Sequence, residues 1–157
     1  MGPWGSFAAK LWPLERFLEL AKLLRSEYGT IAVMLGHGTK ERFAVDRLAE
    51  KSGGALVAAP DVGLVGVAEL ARKARLFVGC DSFPMHAAAA VGCRTIGLFG
   101  VTDPERLGPY GPLGKGIYAR LTLPASTRER RELGNENMLA LEVADVFAAC
   151  REMLARA

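Results

Sequence analysis

A chain of 157 residues is the length of one ordinary domain, and its 50% hydrophobic content indicates a globular core rather than a disordered segment. Its 20 basic and 17 acidic residues leave a net charge of only +3, which argues against a nucleic-acid partner. The three cysteines lack paired spacing and indicate free thiols in a reducing cytoplasm. No apolar run reaches the roughly 20 residues that span a bilayer, so at most peripheral membrane contact is expected.

The first half of the chain predicts an alternation of helices and strands. Pro13 suits a first helical position, apolar residues follow at helical spacing, and Gly29 ends the pattern. Residues 31–35 are continuously apolar, which predicts a strand buried on both faces of a parallel sheet. A turn at residues 36–39 leads into a second helix, and residues 55–59 read as a weak strand.

The second half continues this alternation. After a turn at residues 60–63, the pattern predicts a helix at 67–74, strands at 76–80 and 95–99, a helix at 84–91 between them, and an amphipathic C-terminal helix. Residues 100–135 read as a long surface loop with one short strand near 117–121. The fold class is therefore α/β, with a Rossmann-like, mostly parallel sheet flanked by helices. The chain opens on a loop at residues 2–6, where such a domain usually has a central strand.

The most informative stretch is the corner between the strand at 76–80 and the following helix. Asp81 and Ser82 stand at the start of that helix, where free N–H groups and the positive end of the helix dipole favour an anion such as phosphate. The next strand also ends in a glycine-rich polar corner, at residues 100–111. Two adjacent strand ends of this kind predict a crevice for a nucleotide.

Four ordered blocks of residues carry a family resemblance. They are Gly-Ser followed by Lys-x-Trp-Pro (5–13), a strand with Gly-x-Gly and Glu41, Asp-Ser-x-Pro-Met-His-x-Ala-Ala-Ala (81–90), and Phe-Gly-x-Thr-Asp-Pro before Gly-Pro-Tyr-Gly (99–111). With these blocks, residues 5–153 resemble the C-terminal half of glycosyltransferase family 9, the ADP-heptose:lipopolysaccharide heptosyltransferases.

The resemblance implies that two domains bind the two substrates of the enzyme. Family members have the GT-B architecture, in which a C-terminal domain binds the nucleotide-sugar donor and an N-terminal domain binds the lipid-linked acceptor and supplies an aspartate base. Transfer inverts the anomeric centre and needs neither metal nor cofactor. Residues 1–157 are accordingly expected to form a single donor-binding domain for ADP-heptose or a related nucleotide sugar, with the acceptor-binding half in cis or trans. The expected location is the cytoplasm, at the inner face of the bacterial inner membrane.

The resemblance also assigns the donor site, whereas it places no catalytic residue in this chain. Lys10 matches the family lysine that reaches the donor phosphates, and Ser6 lies in the hydroxyl-bearing loop beside it. Glu41 matches the carboxylate that holds the ribose hydroxyls. The remaining assignments are Asp81, Ser82, Phe83 and His86 at the pyrophosphate and sugar, and Val62, Gly63 and Leu64 at the adenine.

Each polar assignment has a structural alternative that the sequence leaves open. Asp81 or Ser82 can cap the helix, a role worth about 1 kcal/mol. Lys10 can be a solvated surface lysine, Glu41 a first-turn acid that favours the helix dipole, and His86 a buried histidine with its hydrogen bonds satisfied. A metal site built from Cys80, His86 and Cys93 lacks the usual zinc spacing, so no metal is predicted.

The sequence departs from the family pattern in three ways. Phe83 stands where the family usually has glycine, and Pro84 is expected to hold Phe83 in an extended conformation. The acceptor domain with its base is absent, and the first strand of the donor domain is absent or severely shortened. These departures keep two further readings open: a non-catalytic nucleotide- or sugar-binding module that lost transfer, and a fragment whose partner half is encoded separately.

Overall fold

The structure is a computed structural model that describes residues 1–119 and 126–155. All strand pairs among these residues are parallel, as predicted. β1 (Ala32–Met34) pairs with β2 (Leu56–Ala58), and a second sheet has the order β3 (Phe77–Cys80), β4 (Thr95–Phe99), β5 (Gly114–Tyr118). Parallel pairing places the carboxyl ends of all the strands within a sheet at the same edge.

Helices connect and cover these strands. Their bounds are α1 (Leu14–Tyr28), α2 (Gly38–Lys51), α3 (Gly63–Lys73), α4 (Phe83–Ala90), α5 (Pro104–Leu107), α6 (Thr127–Glu132), α7 (Glu136–Leu139) and α8 (Val143–Ala155), with a 3-10 turn at Ala8–Lys10. The helix α1 packs on α8, and α3 packs on α4. None of the helices in the described part of the chain is both long and apolar enough to cross a membrane.

The predicted helix after Pro13 is confirmed, and its limits have simple causes. Pro13 lies just before the first helical residue, where its missing N–H costs nothing. Gly29 ends α1 in the left-handed conformation, with φ of 65°, which glycine adopts without strain. Phe17 and Leu20 on the buried face pack into the main core together with Trp12, whose ring meets Phe17 edge to face.

Three sequence predictions need correction. The strand at 31–35 is not buried on both faces: β1 is three residues long, and Ile31 beside it is 56% exposed. The third helix begins at Gly63 rather than at residue 67, so residues 62–64 form a helix start instead of a turn. The expected loop at 100–135 contains α5, β5 and α6, and part of the strand predicted near 117–121 lies outside the described residues.

The first residues of the chain join the two sheets. Gly2 forms a parallel bridge to Gly79 of β3, while Met1 accepts a hydrogen bond from the N–H of Leu35 after β1. Gly79 has no room for a side chain, because an added Cβ would lie 2.7 Å from the Gly2 carbonyl oxygen. Met1 and Gly2 therefore lie between β1 and β3.

Candidate functional site

The segments that follow β1, β2 and β3 enclose a crevice of about 390 Å³. Gly36 and His37 follow β1, Asp61 follows β2, and Ser82 follows β3. Trp4 closes one wall, and its indole N–H donates to the Leu35 carbonyl at 2.8 Å. The lining is largely apolar with a few polar groups, which is the usual character of a small-molecule site.

Asp81 is the centre of a polar cluster next to this crevice. Asp81 and its partners do not line the crevice themselves, but Ser82, which follows Asp81 in the chain, does. The Asp81 side chain is only 6% exposed and accepts a salt bridge from Lys10 Nζ at 2.6 Å. The Thr102 hydroxyl donates to the same carboxylate oxygen at 2.8 Å, and His86 Nε2 lies 3.8 Å from the other oxygen. Asp81 is therefore a fixed, ion-paired carboxylate that orients Lys10.

These contacts decide between the open interpretations of three residues. Lys10 is not a solvated lysine, because its side chain is 14% exposed and also lies 5.1 Å from the centre of the Phe7 ring. His86 is not a core histidine, since 47% of its side chain is exposed. Asp81 makes no cap contact, because its carboxylate is taken by Lys10 and Thr102.

The start of α4 lacks a side-chain cap. Ser82 occupies the N-cap position, but its hydroxyl donates to the Cys80 carbonyl at 3.3 Å instead of accepting from the first turn. The backbone N–H groups at the start of a helix have no partner within the helix. Together with the adjacent Lys10 ammonium, this corner offers positive charge and donors to an anion.

Glu41 and residues 62–64 line the crevice. Glu41 lies in the first turn of α2, as its structural interpretation expects, and one of its oxygens accepts from the His37 N–H at 2.8 Å. The second oxygen is available to accept a hydroxyl. Val62, Gly63 and Leu64 form an apolar wall at the start of α3.

Phe83 lines the crevice at the opening of α4 and is 49% exposed. Contrary to the sequence-based expectation, Phe83 is the first residue of the helix rather than an extended residue held by Pro84. A proline in the first turn fits because its missing N–H would have no helical partner there. Ser6 is exposed and lies outside the crevice lining, although its neighbour Gly5 belongs to it.

Sequence reasoning missed two residues of this site. Thr102 stood in a recognised block, yet only the structure shows that its buried hydroxyl bonds to Asp81. The position of Thr102 could have indicated this contact, because Thr102 follows β4, the strand next to β3, and Asp81 follows β3. Trp4 carried no signal, because its position depends on the bond to Leu35, 31 residues away.

The cysteines contribute no reactive group to the crevice. Burial raises the pKa of the Cys80 thiol to about 12, so the thiol stays protonated beneath the site. The Cys93 thiol donates to the carbonyls of Ala74 and Arg94. Among the described residues, no group of three His, Cys, Asp or Glu side chains could hold a metal ion.

A crevice at the carboxyl ends of parallel strands, with an anion-binding helix start, is the architecture of Rossmann-like nucleotide-binding domains. Comparison with known families identifies the particular family of nucleotide-binding domains. The family model for glycosyltransferase family 9 (heptosyltransferase) matches residues 2–136. This chain therefore belongs to glycosyltransferase family 9.

Individual relatives agree with this assignment. Lipopolysaccharide heptosyltransferase 3 of Escherichia coli strain K12 is 26% identical over 151 residues, which are 92% of this chain and 43% of that protein. The solved structure of the E. coli heptosyltransferase WaaC with ADP has a TM-score of 0.79 at 26% identity, covering 96% of this chain and 42% of that one. The E. coli WaaC structure with ADP-2-deoxy-2-fluoro heptose has a TM-score of 0.75 at 26% identity, covering 96% and 41%.

These comparisons confirm two predictions. The family resemblance is confirmed, and so is the fold class, a Rossmann-like α/β domain that corresponds to one half of a GT-B glycosyltransferase. The chain spans less than half the length of the three relatives described above.

Proposed function

We propose that this domain binds the nucleotide-sugar donor of a glycosyltransferase, ADP-heptose or a closely related sugar nucleotide. The observation that carries the proposal is the Lys10–Asp81 ion pair beside the uncapped start of α4, whose first residues line an apolar crevice. The ADP and the ADP-heptose analogue in the related E. coli structures support this choice of ligand. The domain, residues 1–157, is then the donor half of a two-domain enzyme.

The pyrophosphate is assigned to the polar end of the crevice. Lys10 Nζ has three donor hydrogens and gives one to Asp81 at 2.6 Å, so it can also donate to a phosphate oxygen. The N–H groups of Ser82 and Phe83 stand at the start of α4, and the helix dipole adds to their attraction for negative charge. His86, half-exposed on the next turn, is assigned to the diphosphate or the sugar.

The nucleoside is assigned to the apolar part of the crevice. Glu41 has one carboxylate oxygen available for the ribose hydroxyls while the other holds the His37 N–H. Val62, Gly63 and Leu64 provide an apolar surface against which adenine can lie. Ser6, exposed beside Gly5, would contact the donor only from the rim.

The proposed reaction is an inverting transfer without a metal ion. The acceptor hydroxyl attacks the anomeric carbon, the bond from that carbon to the diphosphate breaks, and the leaving ADP keeps the electron pair. Lys10 and the α4 N–H groups would stabilise the charge that develops on the diphosphate. The base that takes the hydroxyl proton is assigned to the acceptor-binding half, supplied in cis or trans.

The proposed acceptor is the lipopolysaccharide core or another cell-envelope glycan. The name of the E. coli relative, a lipopolysaccharide heptosyltransferase, supports this acceptor class. The corresponding location is the cytoplasm, at the inner face of the inner membrane.

A second candidate function is a binding module that keeps the nucleotide but does not transfer sugar. Phe83 favours this second function, because its ring lies at the start of α4, where the pyrophosphate is assigned, and occupies space that glycine would leave to the ligand. We call the start of α4 and the adjacent Lys10 the phosphate corner. The first candidate is preferred, since Lys10, Asp81 and Thr102 keep an organised phosphate corner.

Calorimetric titration with ADP and with AMP tests the proposal. A site that recognises a diphosphate should bind ADP at least about tenfold more tightly than AMP, because one charge-assisted hydrogen bond is worth roughly 1.5–3 kcal/mol. Equal affinities for the two nucleotides, or no binding of either, would contradict the proposed donor site.

A further inference from the structure

The turn between β4 and α5 packs against both segments that carry the phosphate corner. One contact is at Gly100, where an added Cβ would lie 2.7 Å from the carbonyl oxygen of Ala9, so the 3-10 turn that carries Lys10 packs directly against it. The other contact is made by Thr102, whose hydroxyl donates to Asp81 Oδ2 at 2.8 Å. The same turn therefore contacts both the backbone beside Lys10 and the carboxylate that binds Lys10.

This turn is itself held at both ends. The Gly100 carbonyl accepts a hydrogen bond from the Asn137 side chain at 2.7 Å. Asp103 caps α5 by accepting from the Glu105 N–H at 2.9 Å. Thr102 lies buried between these two anchors, and its β-branched side chain has few rotamers. The Thr102 hydroxyl is therefore a donor with a fixed position.

Asp81 engages two of the N–H groups of Lys10. Lys10 Nζ lies 2.6 Å from Asp81 Oδ2, and it also donates a longer hydrogen bond to the Asp81 main-chain carbonyl at 3.5 Å. An ammonium group has three donor hydrogens, so the third is available to a ligand. The direction of this third N–H depends on Oδ2, because the carbonyl belongs to the backbone whereas the carboxylate can turn.

Thr102 fixes the direction of this third N–H through the oxygen that it shares with Lys10. The terminal torsion of an aspartate side chain is soft, so a carboxylate held by Lys10 alone can rotate and carry the ammonium with it. The Thr102 hydroxyl holds Oδ2 in one place. The other Asp81 oxygen gains no hydrogen bond from His86, because Nε2 lies 3.8 Å away from it.

We propose that Thr102 is a positioning residue for the donor diphosphate, because it locks Asp81 and thereby directs the third N–H of Lys10 to a phosphate oxygen. This inference rests on the proposed function, since it takes a diphosphate to bind at the phosphate corner. A donor that is held in its binding direction before the ligand arrives loses little freedom on binding, and this preorganisation raises affinity. Thr102 lies outside the crevice lining and acts on the ligand only through Asp81 and Lys10.

Calorimetric titration of the full chain with ADP tests this role. Thr102→Val keeps the size of the side chain but removes the hydroxyl, and it should weaken ADP binding about three- to tenfold, a part of what a lost charge-assisted hydrogen bond costs. Thr102→Ser keeps the hydroxyl and should restore affinity to within about twofold of the wild type. Thr102→Cys, with a weak S–H donor, should have a smaller effect than Thr102→Val, and it carries the comparison if Thr102→Val does not fold.

Thr95→Val is the matched control. The Thr95 hydroxyl is also buried and donates to the Cys93 carbonyl at 2.9 Å, but Thr95 begins β4 whereas Thr102 follows the end of that strand. Thr95→Val should therefore lower the melting temperature and leave ADP affinity unchanged.

A double-mutant cycle with Lys10→Ala separates positioning from stability. Without Lys10 there is no ammonium to direct, so Thr102→Val should then change ADP affinity less than about twofold. The proposal is wrong if the wild type binds ADP and Thr102→Val binds it equally well. It is also wrong if Thr102→Val weakens binding equally with and without Lys10, or if Thr102→Ser does not restore affinity. A wild type that binds no ADP would overturn the proposed donor site, and this inference with it.

Discussion

At the scale of single residues, one carboxylate organises the candidate site. Asp81 is buried, and it fixes Lys10 from the 3-10 turn and Thr102 from the segment after β4. A buried ion pair of this kind costs desolvation energy that its own attraction barely repays. Its presence at the edge of a crevice is better explained by the orientation of a cation toward a ligand than by stability.

Replacing Lys10 tests this explanation. Lys10→Ala should weaken ADP binding by roughly 10- to 100-fold, the value of one charge-assisted hydrogen bond. It should also lower the melting temperature, because Asp81 would lose its partner while buried. Calorimetry and thermal melts measure the two effects.

A double variant separates the two effects of Lys10→Ala. Lys10→Met with Asp81→Asn removes both charges and should recover much of the melting temperature, whereas ADP affinity should stay low. Lys22→Ala, an exposed lysine on α1, is the matched control and should change neither property. Wild-type ADP affinity in the double variant would make Lys10 a structural residue only.

Phe83 tests whether the phosphate corner is obstructed. The ring lines the crevice at the start of α4, so Phe83→Gly should bind ADP several-fold more tightly than the wild type. Phe83→Ala keeps Cβ and the helical preference, and it shows whether the ring alone is the obstacle. Unchanged or weaker ADP affinity in both variants would restore Phe83 as part of a working donor site.

At the scale of elements, the sequence predicted which elements exist better than where they begin. The helix α1 follows Pro13 and ends at Gly29 as expected, because both residues act through local backbone geometry. The start of α3 was missed, since Pro60 and Gly63 read as a turn and the helical apolar pattern appeared only from Val67. The Asp81 ion pair was beyond prediction, because its partners are 71 and 21 residues away.

The approach of α2 to the end of β1 depends on Gly36. An added Cβ would lie 3.2 Å from the Glu41 carbonyl carbon and from a methyl of Val45, closer than ordinary packing allows. Gly36→Ala should therefore shift the first turn of α2, lower the melting temperature by a few degrees and weaken ADP binding several-fold. Gly53→Ala is the control, because it strains the far end of α2 by about 1 kcal/mol through its φ of 62° without touching the crevice. Full ADP affinity in Gly36→Ala would show that the position of Glu41 is unimportant.

At the scale of the whole molecule, the strands form two sheets, and the apolar cavity between β1 and β3 explains the exposed face of β1. The run at 31–35 is apolar enough for a strand buried on both faces, as the sequence indicated. Ile31 and Val33 instead line a cavity of about 410 Å³ between β1 and β3. The apolar side chains at 31–35 are suited to burial, but the sequence pattern does not show whether a neighbouring element covers each of them.

The chain by itself is expected to transfer no sugar. Three carboxylates line or adjoin the crevice, and each already contacts a neighbour: Glu41 accepts from the His37 N–H with one oxygen, Asp61 lies 3.8 Å from His37 Nδ1, and Asp81 is bound to Lys10 and Thr102. General base catalysis contributes roughly 10²- to 10⁴-fold, and positioning of the acceptor contributes further. Labelled ADP-heptose with a lipid A–core acceptor should give no product above background, from a preparation that binds ADP. Robust turnover would show that the chain holds its own base and acceptor site.

The most direct measurement of the central claim is an amide chemical-shift map of the isotopically labelled chain during titration with ADP. A donor site in the crevice predicts saturable shifts at Gly36, Glu41, Gly63 and Ser82, four residues that line it from separate segments of the chain. The amides of α8, away from the crevice, should not move. Shifts confined to the cavity between β1 and β3, or no saturable shifts at millimolar ADP, would contradict the claim that this crevice binds the donor nucleotide.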